Sequence, residues 1–160
     1  MAAGTIKLPL FLGKFFVVAG GPYVRVPDKM VGVKMAVEIN HPHQISIPTR
    51  DFDVPRVSDV DTGLRQAVDA ILRGDPVYVG CMGGIGRTGL FMAILAKAFG
   101  ESDPVSDVRS QYNHHAVETK QQMQYVQDYV IPLDVLISIG IARFTKIWTF
   151  RKNLTNPVKS

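Results

Sequence analysis

The stretch Val77–Phe99, VYVGCMGGIGRTGLFMAILAKAF, decides how the rest of the chain reads. A β-branched run, Val77 and Val79, leads into the chain's single cysteine, Cys81. Arg87 and Thr88 follow, with five residues between Cys81 and Arg87, and glycines occupy positions 83, 84, 86 and 89. An apolar pattern of helical length then runs to Phe99, where Gly100 stops it. A strand, a glycine-rich loop opened by a thiol and closed by a guanidinium, and then a helix describe a cradle for a phosphate group.

Cleaving a phosphate ester without a metal requires an in-line nucleophile, neutralisation of the non-bridging oxygens and a proton for the leaving oxygen. Five residues between Cys81 and Arg87 are enough to curl the backbone so that its amides converge on one point. The interior Met82, Gly83, Gly84, Ile85 and Gly86 would supply those amides, and glycine permits the backbone angles they need. Arg87 adds a planar fork that matches two phosphate oxygens. The positive end of the following helix favours both the phosphate and a thiolate at Cys81, and the Thr88 hydroxyl can donate to the sulfur. A thiol, an arginine and a threonine at this spacing would also fit an inert buried cysteine in a βα turn. The glycines, the strand before and the helix after argue for chemistry. A Walker A loop is excluded because Gly86 precedes Arg87 rather than lysine.

Composition narrows the setting. The 160 residues suit a single domain spanning 1–160, and 46% hydrophobic with 20% charged residues is ordinary for a globular protein. The net charge of +4 suits an anionic substrate but falls short of the dense basic clusters of a dedicated nucleic-acid binder. One cysteine excludes an intrachain disulfide framework and a multi-cysteine zinc site, which implies a reducing, cytoplasmic compartment. Leu8–Ala19 is apolar but interrupted by Pro9, Gly13 and Lys14, so it reads as an early strand rather than a signal peptide. No run approaches the roughly 18 apolar residues needed to span a bilayer.

Around the central stretch, strands alternate with helices. Phe15–Ala19 reads as a buried strand broken by Gly20-Gly21-Pro22, and Tyr23–Val26 as a short edge strand. Met35–Ile39 and Gln44–Ile47 add strand-like runs, and the proline-bracketed 48–55 reads as a loop. Ser58, with Asp61 three residues on, marks a helix start, and Val60, Leu64, Ala67, Val68, Ile71 and Leu72 recur at helical spacing up to Gly74. Asp103-Pro104 caps a short helix ending near Tyr112-Asn113, and another spans about 118–130. Leu133–Phe150 carries a wide apolar stripe and a basic end at Arg143, Lys146, Arg151 and Lys152, and reads as a C-terminal helix closing the core. The pattern predicts an α/β three-layer domain with a central, largely parallel sheet flanked by helices.

With these residues in place, GCMGGIGRTG resembles the phosphate loop of the protein tyrosine phosphatase superfamily, usually HCxxGxGRTG. IPTRDFDVP at 47–55 is similar to the general-acid loop of small atypical dual-specificity phosphatases, and AVETKQQ at 116–122 to their water-positioning segment. The resemblance spans roughly residues 43 to 130. It implies Cys81 as nucleophile, Arg87 as phosphate clamp and Thr88 as helper of the sulfur. It implies Asp51 as general acid, with Asp53 the competing candidate, and Gln122, with Glu118 as a second candidate, as the group orienting water. Gly80 departs from the pattern, since the family has histidine before its cysteine. Neither metal nor cofactor is called for, and the adjacent His114 and His115 make a poor metal site because neighbouring side chains diverge.

The function implied is a phosphocysteine-forming phosphatase acting on phosphorylated protein, phosphotyrosine first. A lysine-free loop interior disfavours phosphoinositide headgroups. An RNA 5′-phosphatase of the same superfamily is an alternative, as is a non-catalytic phosphate binder, motivated by Gly80. A rhodanese-type sulfurtransferase has no need of Asp51 or of the Arg87-Thr88 pair.

Overall fold

The computed structural model describes residues 3–155, without the side chains of 150 and 152–155, so Phe150 and Lys152 of the C-terminal segment lie outside the described side chains. Five strands, β1 (Gly4–Phe11), β2 (Lys14–Pro22), β3 (Val31–Ala36), β4 (Ile45–Thr49) and β5 (Val77–Cys81), form one sheet in the order β1-β2-β5-β3-β4. Only the β1–β2 pair is antiparallel; β2–β5, β5–β3 and β3–β4 are parallel. The helices are α1 (Val57–Arg73), α2 (Gly86–Ala98), α3 (Pro104–Gln111), α4 (Lys120–Asp128) and α5 (Leu133–Thr155). The mixed, mostly parallel sheet flanked by helices is the expected architecture.

The centre of the sheet is β5, every residue of which is buried. Parallel neighbours on both edges explain why it reads as an unbroken run rather than alternating. Of the helix that follows, every residue of α2 except Lys97 is buried, as expected of a segment apolar all round. Cys81 and Arg87 are therefore delivered by two elements buried in the core.

Several boundaries differ from the reading of the sequence, each for a local reason. The early strand is a hairpin, turned by Leu12 and Gly13 at φ 46° and 73°, the left-handed pair of a tight two-residue connection. Gly20 and Gly21 do not end β2. A Cβ on Gly20 would lie 2.4 Å from Met92 Cε, so glycine is what lets α2 approach the strand. Tyr23–Arg25 is a single 3-10 turn rather than an edge strand, and it folds the Tyr23 side chain into full burial. Pro48 and Thr49 belong to β4, an edge strand where proline is tolerated. The N-cap position of α1 is Arg56, not Ser58, and it has no side-chain cap. Gly74, at φ 88°, closes α1, and the Asp103 carboxylate accepts from Ser106 N at 3.2 Å with Pro104 in the first turn of α3.

The last helix docks on the core through a different face from the stripe read in the sequence. Val135 and Ile139, which lie off that stripe, are buried, while its members Leu133, Leu136, Ile137, Gly140, Ile141, Phe144, Ile147 and Trp148 are all exposed. Polar ties hold it down: Arg65 Nε donates to Asp134 Oδ2 at 2.6 Å, and Arg143 Nη2 donates to the carbonyls of Pro9 and Phe99 at 2.8 and 2.6 Å. Among the described residues no helix is long and apolar enough to cross a membrane.

Candidate active site

At the C-terminal end of β5 the chain leaves the sheet at Cys81, loops through 82–85 and enters α2 at Gly86. A cavity of about 260 Å³ opens there, walled by Cys81, the loop, Arg87, Asp51, Phe52 and Glu118. A larger hollow beside the β1–β2 turn, about 380 Å³, is lined by Lys7, Lys14, Glu101 and apolar hairpin residues. It holds neither the thiol nor the buried guanidinium, so chemistry rather than volume locates the site.

Cys81 is 3% exposed, and the Thr88 hydroxyl donates to its sulfur at 3.1 Å. Arg87 is almost wholly buried. Its Nη1 and Nη2 donate to Glu38 Oε2 and Oε1 at 2.9 and 2.6 Å, and Nη1 also donates to the Thr49 carbonyl at 2.9 Å. Burial works against the charge, but the hydrogen bonds to Glu38 together with the nearby Cys81 and Asp51 outweigh it and hold the guanidinium more firmly protonated than usual. In turn the hydrogen bonds from Arg87 hold the Glu38 carboxyl below its ordinary range. The bidentate contact fixes the plane of the fork. Glu38 thus positions the clamp, a role that the sequence reading missed. Its only sequence signal was a charge inside the apolar run 35–39.

The acid loop is brought to the same cavity. Asp51 Oδ1 lies 3.1 Å from Arg87 Nη2, and the Asp51 side chain is 60% exposed. The adjoining Phe52 turns the chain at φ 57°. Asp53 is used differently: its carboxylate accepts from Val54 N at 2.7 Å within its own loop, and it is not part of the cavity wall. Of the two candidates only Asp51 lines the cavity.

Gln122 does not face the cavity. It is fully buried, its Oε1 accepts from the backbone N–H of Glu118 and Thr119, and its Nε2 donates to the Asp53 carbonyl at 3.2 Å. Together with Thr119 it forms the capping box that starts α4. The amide expected to orient water instead ties α4 to the acid loop, and Glu118 is the member of that segment which reaches the cavity. The rings of His114 and His115 lie close at the surface, 4.0 Å between centroids and tilted by 44°, rather than diverging as expected, and no metal-binding cluster occurs among the described residues.

The place of the missing histidine is filled. A Cβ on Gly80 would lie 2.8 Å from Tyr23 Cα and 2.9 Å from Tyr23 Cδ2 and the Gly21 carbonyl. Tyr23 is anchored there by donating its hydroxyl to the Pro42 carbonyl at 3.1 Å, and burial pushes its pKa up to about 12. We expect Gly80→Ala to lower stability by about 1–3 kcal/mol, read as a lower urea midpoint. An unchanged midpoint would mean that Tyr23 moves aside freely.

The loop itself is buttressed from α3. The Tyr112 hydroxyl donates to the Gly84 carbonyl, pinning the loop at the residue with φ 71°. No sequence signal marked Tyr112 for this role. Tyr112→Phe is expected to lower kcat/KM about tenfold and stability by about 1 kcal/mol, because the fold stays intact while the loop loses its tie. Steady-state kinetics and a thermal melt on the same preparation check both numbers.

Comparison with known proteins agrees with this fold. The structure is similar to that of Tk-PTP in its active form, with a TM-score of 0.60 and 23% identity over 77% of this chain and 95% of that one. It is also similar to a kinase-associated phosphatase whose catalytic-site cysteine is replaced by serine, with a TM-score of 0.59 and 14% identity over 86% and 97% of the two chains. A third likeness is PTPMT1 in complex with PI(5)P, with a TM-score of 0.56 and 16% identity over 78% and 92%. At these identities the likeness is one of fold. Two uncharacterised proteins of Methanocaldococcus jannaschii are 37% and 34% identical over 84 residues, 52% of this chain and 57% and 53% of theirs. The chain thus spans about half the length of these curated relatives. Residues 29–131, well over half of the chain, match the model of the Swiss Army Knife DSP-PTPase phosphatase domain, and the chain belongs to that family of the protein tyrosine phosphatase superfamily.

Proposed function

We propose that this chain hydrolyses phosphate monoesters through a phosphocysteine on Cys81, with phosphorylated protein as its substrate. The observation that carries the reading is the convergence on one cavity of a thiol hydrogen-bonded by Thr88, a guanidinium locked by Glu38 and the Asp51 carboxyl. Both hydrogens of Arg87 Nη1 are engaged, by Glu38 and Thr49, and one of Nη2 by Glu38. The other Nη2 hydrogen, with Asp51 Oδ1 3.1 Å from that nitrogen, and Nε–H form the edge offered to phosphate. Phosphate arrival therefore displaces Asp51 toward the leaving oxygen.

In the first step the Cys81 thiolate attacks phosphorus, the bond to the leaving oxygen breaks, and protonated Asp51 gives that oxygen its proton. In the second, Asp51 takes a proton from water, the water oxygen bonds phosphorus, and the sulfur–phosphorus bond breaks. Thr88 donates to the returning thiolate, and inorganic phosphate leaves. Arg87, the loop amides and the N-terminus of α2 meet the charge on the non-bridging oxygens throughout. Phe52 and Met82 leave apolar surface at the rim, which suits an aromatic leaving group and supports phosphotyrosine as the preferred ester. Gln122 acts here as a positioning residue for the acid loop.

The reading is tested with Asp51→Asn. Turnover of an alkyl phosphate, whose leaving oxygen needs the proton, should fall about 10²-fold or more, and that of p-nitrophenyl phosphate by much less. Asp53→Asn should leave that leaving-group dependence unchanged. If the two variants exchange these effects, the acid is Asp53.

A further inference from the structure

Of the two carboxylates in the cavity wall, Glu118 has no part in the chemistry above. Several features are spent on placing it. Val117, just before it, sits at φ 59°, a left-handed conformation that a β-branched residue avoids. Arg109 holds that conformation with its fork, donating from Nε to the Ala116 carbonyl and from Nη2 to the Val117 carbonyl, both at 2.9 Å. Gly89 lets α2 approach the same segment, since a Cβ there would lie 2.5 Å from Ala116 Cβ. The Glu118 N–H is taken by Gln122 Oε1 at 2.9 Å. The carboxylate itself lies over Gly86, where a Cβ would come within 2.0 Å of Glu118 Oε2. A side chain at 86 would push the carboxylate aside, one residue before the phosphate clamp.

The wall of the cavity therefore carries two carboxylates against one guanidinium, and the guanidinium is already paired with Glu38 behind it. An incoming phosphate dianion is held by Arg87 and the backbone amides, whose reach is one phosphoryl group. A second anionic group on the same substrate finds no cation in the wall and meets Glu118 instead. Resting on the phosphatase reading above, we propose that Glu118 is a specificity-determining residue. It admits monophosphate esters with neutral or cationic surroundings and rejects those with another anion beside the phosphate, such as triphosphate ends and polyphosphorylated headgroups.

The test compares kcat/KM for phenyl phosphate and meta-carboxyphenyl phosphate, which differ by one negative charge beside the reacting group. Wild type should prefer phenyl phosphate. Glu118→Gln should raise the ratio of carboxylated to plain substrate roughly tenfold, whatever happens to the rate common to both, and Glu118→Lys should raise it further. A purely structural or water-positioning role scales both substrates equally and leaves the ratio fixed; that outcome overturns the proposal. In wild type alone, the preference should shrink as ionic strength rises, and a salt-independent ratio would contradict it without any variant. If wild type turns over neither ester, the phosphatase reading itself fails and this inference falls with it. If it turns over both with equal efficiency, only the inference fails.

Discussion

Cys81→Ser should abolish turnover of every phosphate monoester tested, by more than about 10³-fold, while the protein still folds and still binds phosphate. Cys81 is 3% exposed and its sulfur accepts a hydrogen bond from Thr88 at 3.1 Å, so an oxygen in its place preserves the packing. What the substitution removes is the sulfur that forms the phosphocysteine. The cradle that binds phosphate is built by other groups: the loop amides, Arg87 and the N-terminus of α2. Binding should therefore survive, and a phosphorylated peptide should be retained rather than released. This outcome also separates the enzyme from a phosphate-binding module, whose function the substitution would spare. Calorimetry with a phosphopeptide, beside the kinetics, reads both halves.

Arg87→Lys should lower kcat/KM by about 10²–10³-fold although charge is conserved. A lysine offers a point charge where the site uses a fork with two jobs. The guanidinium takes Glu38 in bidentate fashion and the Thr49 carbonyl on one side, and turns its remaining edge to the cavity. An ammonium satisfies one of these at a time. The same pairing sets an acid limit on the site. Because Arg87 lowers the Glu38 carboxyl below its unfolded value, the pair contributes stability above the unfolded carboxylate pKa. That contribution disappears as pH falls through the lowered folded value. Glu38→Gln should flatten this acid limb in a stability–pH series, and a limb unchanged by the substitution would assign it to other carboxylates.

The two halves of the site differ in how visible they were before folding. Cys81, Arg87 and Thr88 lie within one strand–loop–helix unit, so their spacing already fixes the cradle. Asp51 stood out by its place before Phe52 in a proline-bracketed loop, and the sheet brings it to Arg87. Glu38 and Tyr112 reach the loop across 49 and 28 residues of sequence. No local pattern encodes such contacts; they follow from parallel pairing of β3 with β5 and from α3 packing on α2. Gln122 was read for the right segment, but its amide is consumed by the capping box and the Asp53 carbonyl. Burial decided that, and burial is a tertiary property.

Elsewhere the same division holds. Parallel strands around a buried β5 were legible from β-branched runs alternating with helical periods. The Leu12-Gly13 hairpin was not, because leucine is a poor marker of a turn that needs φ > 0 at both positions. Gly20-Gly21 looked like a break because glycine punctuates loops far more often than it makes room for a helix. The stripe of α5 was wide enough to suggest a core face, yet the structure leaves that stripe exposed and buries Val135 and Ile139, which lie off it.

The central claim is that phosphate passes through a covalent bond to Cys81. Rapid acid quench of Asp51→Asn during turnover of p-nitrophenyl phosphate, followed by peptide mass spectrometry, addresses it directly. Without its general base the second step slows, and the peptide containing Cys81 should gain the mass of one phosphoryl group in near-stoichiometric yield. Continued turnover with no adduct on that peptide, together with persisting activity in Cys81→Ser, would contradict the account.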